Sequence, residues 1–128
     1  MSSHAKDEWA RARRCLESAE VLLAAGDQDG CASRAYYSAF HAVTAYFLLE
    51  GREFGKHSAV EAAVHRELVQ PGRVQRGFGA AFTRLQRLRT VGDYGLNEHV
   101  RAEDGKEAVD SARAILVELR ELAGEAFR

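Results

Sequence analysis

Apolar positions recur along this chain with the three-to-four spacing of amphipathic helices, and breaks in that rhythm divide it into five segments. The first runs from about Ser3 to Ala25, with Trp9, Ala12, Leu16, Ala19 and Leu23 on one face. Gly26 ends it, and Asp27 or Asp29 can cap the next helix by accepting from its orphan backbone N–H groups. So short a turn makes the first two helices antiparallel neighbours. The third segment is short: Ser58 with Glu61 three residues on predicts a capping box, and Val60, Ala63, Val64 and Leu68 face inward before Pro71 and Gly72. The fourth runs from about Val74 to Val91 on a core face of Val74, Phe78, Ala81, Phe82, Leu85 and Leu88, with Arg73, Arg76, Arg84 and Arg87 solvated opposite. The last, from about Glu103 to Leu122, buries Ala108, Ala112, Ile115, Leu116, Leu119 and Leu122.

The second segment, Ala32 to Glu50, is the central one. Cys31, Ala35, Ser38, Ala39, Ala42 and Ala45 form a stripe of small side chains beside a bulky stripe of Tyr36, Phe40, Val43 and Phe47. The combined arc exceeds that of an ordinary surface helix, so this helix has neighbours on two sides. The remaining wedge holds Arg34, Tyr37, His41 and Thr44. Five helices with short links and single apolar faces predict an all-α, antiparallel up-and-down four-helix bundle with one additional short helix.

Composition narrows this little further. A chain of 128 residues suits one domain, 1–128, and 46% hydrophobic with 29% charged residues is an ordinary globular balance. No apolar run approaches the roughly 20 residues of a membrane span, and the first residues lack the apolar core of a signal peptide, so a soluble cytoplasmic protein is expected. Cys15 and Cys31 lie about 9 Å out of step along an antiparallel pair, too far for a disulfide, and both are expected to be reduced. The net charge of −1 conceals an asymmetry: seven arginines face three acids between Arg66 and Arg101, and seven acids face four bases from Ala102 onward. Such a local surplus attracts phosphate, or is simply solvated.

Charge phase singles out one residue. Arg89 falls near Phe78 and Phe82, on the side that should be apolar, where the helix runs into Gly92, Asp93, Tyr94 and Gly95. An inward arginine costs desolvation unless a partner meets it, and Asp93 is the nearest. A second group is Arg34, Tyr37 and His41, which project alike over two helical turns. The arginine could pair with an acid of the first or last helix and the histidine could be a satisfied core residue, or the three could line a site. No histidine has a second histidine or cysteine at a zinc spacing, the Glu-x-x-His pairs of di-iron bundles are missing, and Gly77 and Gly79 lie within a helix without a preceding strand. A metal site, a phosphate loop and a cofactor are therefore not expected.

RAYYSAFHA in the second helix, KHSAV after it and RTVGDYG at the end of the fourth together resemble the HEPN superfamily, specifically its small single-domain prokaryotic branch. The match spans Trp9 to about Leu122. The resemblance implies a four-helix bundle with a short extra helix, a two-fold dimer, and frequent pairing with a minimal nucleotidyltransferase as toxin and antitoxin. Many such proteins are metal-independent ribonucleases in which an Arg-x4–6-His motif sits at the dimer cleft; the arginine stabilises phosphate charge and the histidine moves a proton. Here Arg89 carries over, but Tyr94, Gly95 and Leu96 occupy the histidine positions and His99 is too distant.

Three functions follow as expectations. The first is a toxin-type protein binding RNA or a nucleotide at a dimeric cleft lined by Arg89, Asp93, Tyr94, Arg34, Tyr37 and His41. The second is an active ribonuclease in which His41 or His99 substitutes for the missing base beside Arg89. The third is a non-catalytic partner subunit of a nucleotidyltransferase.

Overall fold

The computed structural model describes residues 3–128. Its helices are α1 (Ser3–Ala24), α2 (Gln28–Leu49), α3 (His57–Ala63), α4 (Gly77–Tyr94) and α5 (Ala102–Ala123). A π-helical stretch, Val64–Val69, continues α3, and a 3-10 turn, Gly124–Phe127, follows α5. The architecture is the expected all-α bundle of four long helices and one short one.

α2 is its axis. Every residue of the small stripe is fully buried, and Tyr36, Val43 and Phe47 join them at 1% exposure or less. Side chains this small let the α1 backbone come close, and Ser38 uses that approach to donate its hydroxyl to the Ala12 carbonyl at 2.8 Å. α4 and α5 cover the opposite side of α2. Both cysteines are free and buried; burial raises the Cys15 thiol and pushes Cys31 up to about 11, so neither supplies a thiolate near neutral pH.

Several local expectations are corrected. The capping box at Ser58 does not form: α3 starts at His57 behind Lys56, without a side-chain cap, and the Glu61 carboxylate instead accepts from Thr83 at 3.1 Å. Thr83 in turn meets His65 Nε2 at 3.1 Å, which ties the π-helical stretch to α4. Gly79 permits this approach, because a Cβ there would lie 2.8 Å from the His65 ring. Two of the arginines expected to be solvated have partners. Arg84 reaches Asp104 and Glu107 of α5, and Arg73 bonds Tyr46 of α2 and Glu50, which caps its C-terminal end. Leu122 is 37% exposed rather than buried, since the core is closed at that end by Phe127, stacked on Trp9 with ring centres 4.4 Å apart.

α4 also begins and ends three residues later than its apolar pattern suggests, at Gly77 and Tyr94. Asp93 and Tyr94 thus belong to the last helical turn, which puts Asp93 four residues after Arg89 on the same face. That shift decides the geometry of the site.

Candidate functional site

The end of α4 is anchored to the first turn of α2. Asp27 caps α2 by accepting from the Gly30 N–H at 2.9 Å. Asp29 instead accepts from the Val100 N–H at 2.7 Å and meets His99 Nδ1 at 2.7 Å, fastening the link between α4 and α5. Burial pushes the Asp29 carboxyl up, but these two contacts outweigh it and hold the pKa below the ordinary value. Gly92 lies so close that a Cβ would stand 2.7 Å from the Asp29 carbonyl oxygen. Gly95 is similarly hemmed in by the Val91 and Glu98 carbonyls. The glycines on either side of Asp93 and Tyr94 therefore serve close backbone approach.

This anchoring aims Arg89 into the seam between α4 and α2. Its side chain is 18% exposed, and its Nη2 donates to the Tyr37 hydroxyl at 2.6 Å. Nε lies 3.0 Å from Asp93 Oδ2 but off the line that a hydrogen bond requires, so the pair attracts by charge while that N–H lacks an aligned acceptor. Asp93 is held from the other side by the Ser33 hydroxyl at 3.4 Å. The guanidinium carbon sits 5.2 Å from the Tyr37 ring centre, 5.4 Å from that of Tyr94 and 5.6 Å from that of Tyr36. Three aromatic faces and one carboxylate thus offset the cost of taking this charge out of water. Burial pulls the Arg89 pKa down, but Tyr37, Tyr94 and Asp93 more than compensate, and it lies above the ordinary arginine value.

His57 completes the seam. Its ring packs on Phe40 with centres 4.2 Å apart, and Nδ1 lies 3.3 Å from the Tyr36 hydroxyl. Burial lowers its pKa, and the positive charges of Arg89 and His41 lower it further, so the ring is neutral near pH 7. Tyr36, pushed up to about 12 mainly by burial, keeps its proton and can donate it to Nδ1. The tautomer in which Nδ1 accepts carries its proton on Nε2.

The structure therefore brings Arg89, Asp93, Tyr94 and Tyr37 together. Arg34 borders them through the Tyr37 ring, 5.4 Å from its centre, and has no acidic partner on α1 or α5 among the described residues. His41 turns toward α1 and meets Glu8 at 2.8 Å, the structural arrangement that the sequence left open. His99 is exposed and engaged with Asp29. Pattern reasoning missed His57, Tyr36 and Ser33 as parts of this seam. Tyr36 was absorbed into the core stripe, and Ser33 stood out in neither stripe nor wedge. His57 opens a short helix where no periodicity fixes its direction; its place in the KHSAV segment was the available signal.

Comparison with known sequences bears on this arrangement. The family model of the HEPN domain matches residues 5–122, taking in α1 through almost all of α5. The chain belongs to the HEPN family. A UPF0332 protein of Thermotoga maritima is 36% identical over 112 residues, covering 88% of this chain and 85% of that protein. A UPF0332 protein of Gloeobacter violaceus is 28% identical over 96% of this chain and 99% of its own length. A third, from Pyrococcus horikoshii, is 40% identical over a shorter stretch, 53% of this chain and 48% of that protein. In this domain the seam that holds Arg89 also receives His57 from α3, through the Tyr36 hydroxyl and the Tyr37 ring.

Proposed function

We propose that this HEPN domain binds RNA or a nucleotide, with Arg89 as the phosphate-recognising group at the seam between α2 and α4. The supporting observation is the state of that guanidinium. It is a mostly buried cation with one aligned hydrogen bond among the described residues, to Tyr37, so several of its five N–H donors remain for an anion. Tyr94 lies over it at the surface, 66% exposed, and offers a ring face on which a base can stack. Neutral His57 and Tyr36 add hydrogen-bonding capacity without negative charge.

A second copy of the chain covering this mouth agrees with the exposure of Tyr94 and of Leu96, which is 94% exposed. In that arrangement the two seams face each other across a two-fold axis, and the protein acts as the toxin-type member of a pair whose other component is a minimal nucleotidyltransferase. The test is binding of a labelled single-stranded RNA and of AMP at about 50 mM salt, where phosphate contacts are strongest. Arg89→Ala is expected to weaken both by at least about tenfold. Unchanged binding of both ligands would remove Arg89 from the site.

One observation favours a ribonuclease as the second reading. His57 stands at the same seam as Arg89 as a neutral ring able to take a proton, whereas His41 is engaged by Glu8 and His99 by Asp29. RNA cleavage in the presence of chelator that is abolished by His57→Ala, and retained by His41→Ala with His99→Ala, would identify it as the base. Equal cleavage by wild type and His57→Ala would discard that assignment.

A further inference from the structure

Beside the seam, α1 and α2 enclose a groove whose α2 wall carries Arg34, Tyr37 and His41 and whose α1 wall no motif marks. Arg11, Arg14 and Ser18 project from α1 at helical spacing, and Arg34, Tyr37 and His41 project from α2 opposite them. Together with buried Cys15 they line a hollow of about 520 Å³. A second hollow, of about 570 Å³, shares Arg14, Ser18 and Arg34 and extends past Glu17 to Val21 and Leu22.

The charge in this groove is unbalanced. Arg11, Arg14 and Arg34 are exposed and enter no ion pair among the described residues, as is true of Arg13, Arg76, Arg87 and Arg120 elsewhere, but these three line one hollow together. Glu8, at one end, is occupied by His41 at 2.8 Å, and Glu17 borders the second hollow. At the thiol on the groove floor, burial and Glu8 disfavour negative charge and the fields of Arg34, Arg11 and Arg14 favour it. Between Arg11 and Ser18 the groove extends about 10 Å along α1, longer than a single phosphate.

The groove and the seam share a wall. Tyr37 carries Arg34 at 5.4 Å from its ring centre and Arg89 at 5.2 Å, and its hydroxyl is the acceptor for Arg89. Anything bound at Arg89 and extending toward α1 passes this ring and enters the basic groove.

We infer that the α1–α2 groove is a second phosphate-binding subsite, in which Arg11, Arg14 and Arg34 track the backbone of a single-stranded RNA whose other end is seated at Arg89. This rests on the proposed function and sharpens it: the ligand is an oligonucleotide rather than a mononucleotide. A positively charged groove beside an exposed aromatic ring is the usual means of holding a single strand without reading its sequence. Several unpaired guanidinium groups along one groove make the affinity for a strand depend steeply on salt, whereas a mononucleotide seated at Arg89 does not need Arg11 and Arg14.

The experiment compares wild type, Arg11→Ala/Arg14→Ala and Arg89→Ala, each checked for helicity by circular dichroism, using a fluorescein-labelled single-stranded RNA decamer and AMP. Both substituted arginines are exposed, so the double variant should fold. It is expected to bind the decamer about tenfold more weakly at about 50 mM salt, with a shallower dependence on salt concentration and unchanged AMP binding. Arg89→Ala should weaken both ligands. Wild-type decamer affinity in the double variant, with Arg89→Ala impaired, would overturn the groove and leave the seam standing. Equal loss of decamer and AMP in the double variant would also overturn it, because the groove would then not be a separate subsite. No effect of any variant on either ligand would overturn both readings.

Discussion

At Arg89 a single side chain was legible from helical phase alone: an arginine where an apolar residue was due, with Asp93 as its partner. The ion pair at 3.0 Å bears that out, and Tyr37 and Tyr94 lie over the guanidinium in the cleft expected for them, but Tyr36 could not be read as part of the enclosure because phase assigned it to the core. His57 was illegible for a different reason, since the direction of a residue opening a short helix depends on tertiary contacts. Its lowered pKa gives a test of the seam's electrostatics. In an NMR titration His57 should ionise below the ordinary value of about 6.5, and Arg89→Ala should move it upward by removing a nearby positive charge. A histidine whose folded pKa is depressed binds fewer protons than the unfolded chain as pH falls. Its contribution to stability therefore declines below about pH 6.5 and levels off under the folded pKa. An unchanged His57 titration in Arg89→Ala would mean that the two groups do not sense each other.

Among the elements, α2 followed its pattern closely: small stripe, bulky stripe and polar wedge all occur where the periodicity places them. The end of α4 did not, because Gly92 lies within the helix, where it permits close approach to the Asp29 carbonyl, and it is Gly95 that ends it. Gly92→Ala forces a side-chain carbon against the Asp29 backbone and should cost about 1–3 kcal/mol in denaturant unfolding. A cost near zero would show that the α2–α4 contact yields easily. Asp29 itself holds the α4–α5 link, and its lowered pKa fixes the sign of a second effect. The carboxylate stabilises the fold fully above its unfolded pKa of about 3.9 and loses that effect as pH falls through the lower folded value. Asp29→Ala should therefore be less stable than wild type near pH 7, and the difference should shrink in acid. A pH-independent difference would assign the loss to something other than ionisation.

For the whole molecule, the bundle and its family were legible because five helical periods and three motif segments agree on one architecture. Closure of the core was not, since the 3-10 turn after α5 lacks a periodic pattern to announce Phe127. Phe127→Ala removes the stacked partner of Trp9 and should destabilise the bundle by about 3–5 kcal/mol, as measured by thermal or denaturant unfolding. An effect below about 1 kcal/mol would mean that the turn is peripheral to the core. Packing places Arg89, the tyrosines and His57 at one seam, and the central claim is that this seam receives a phosphate. The most direct test observes the arginine itself: the side-chain Nε–H resonance of Arg89 in the isotope-labelled protein, followed while single-stranded RNA is added at low salt. A saturable shift of that resonance, together with shifts at Tyr37, Tyr94 and His57, is the predicted result. Saturable RNA binding that leaves the Arg89 resonance in place would contradict it.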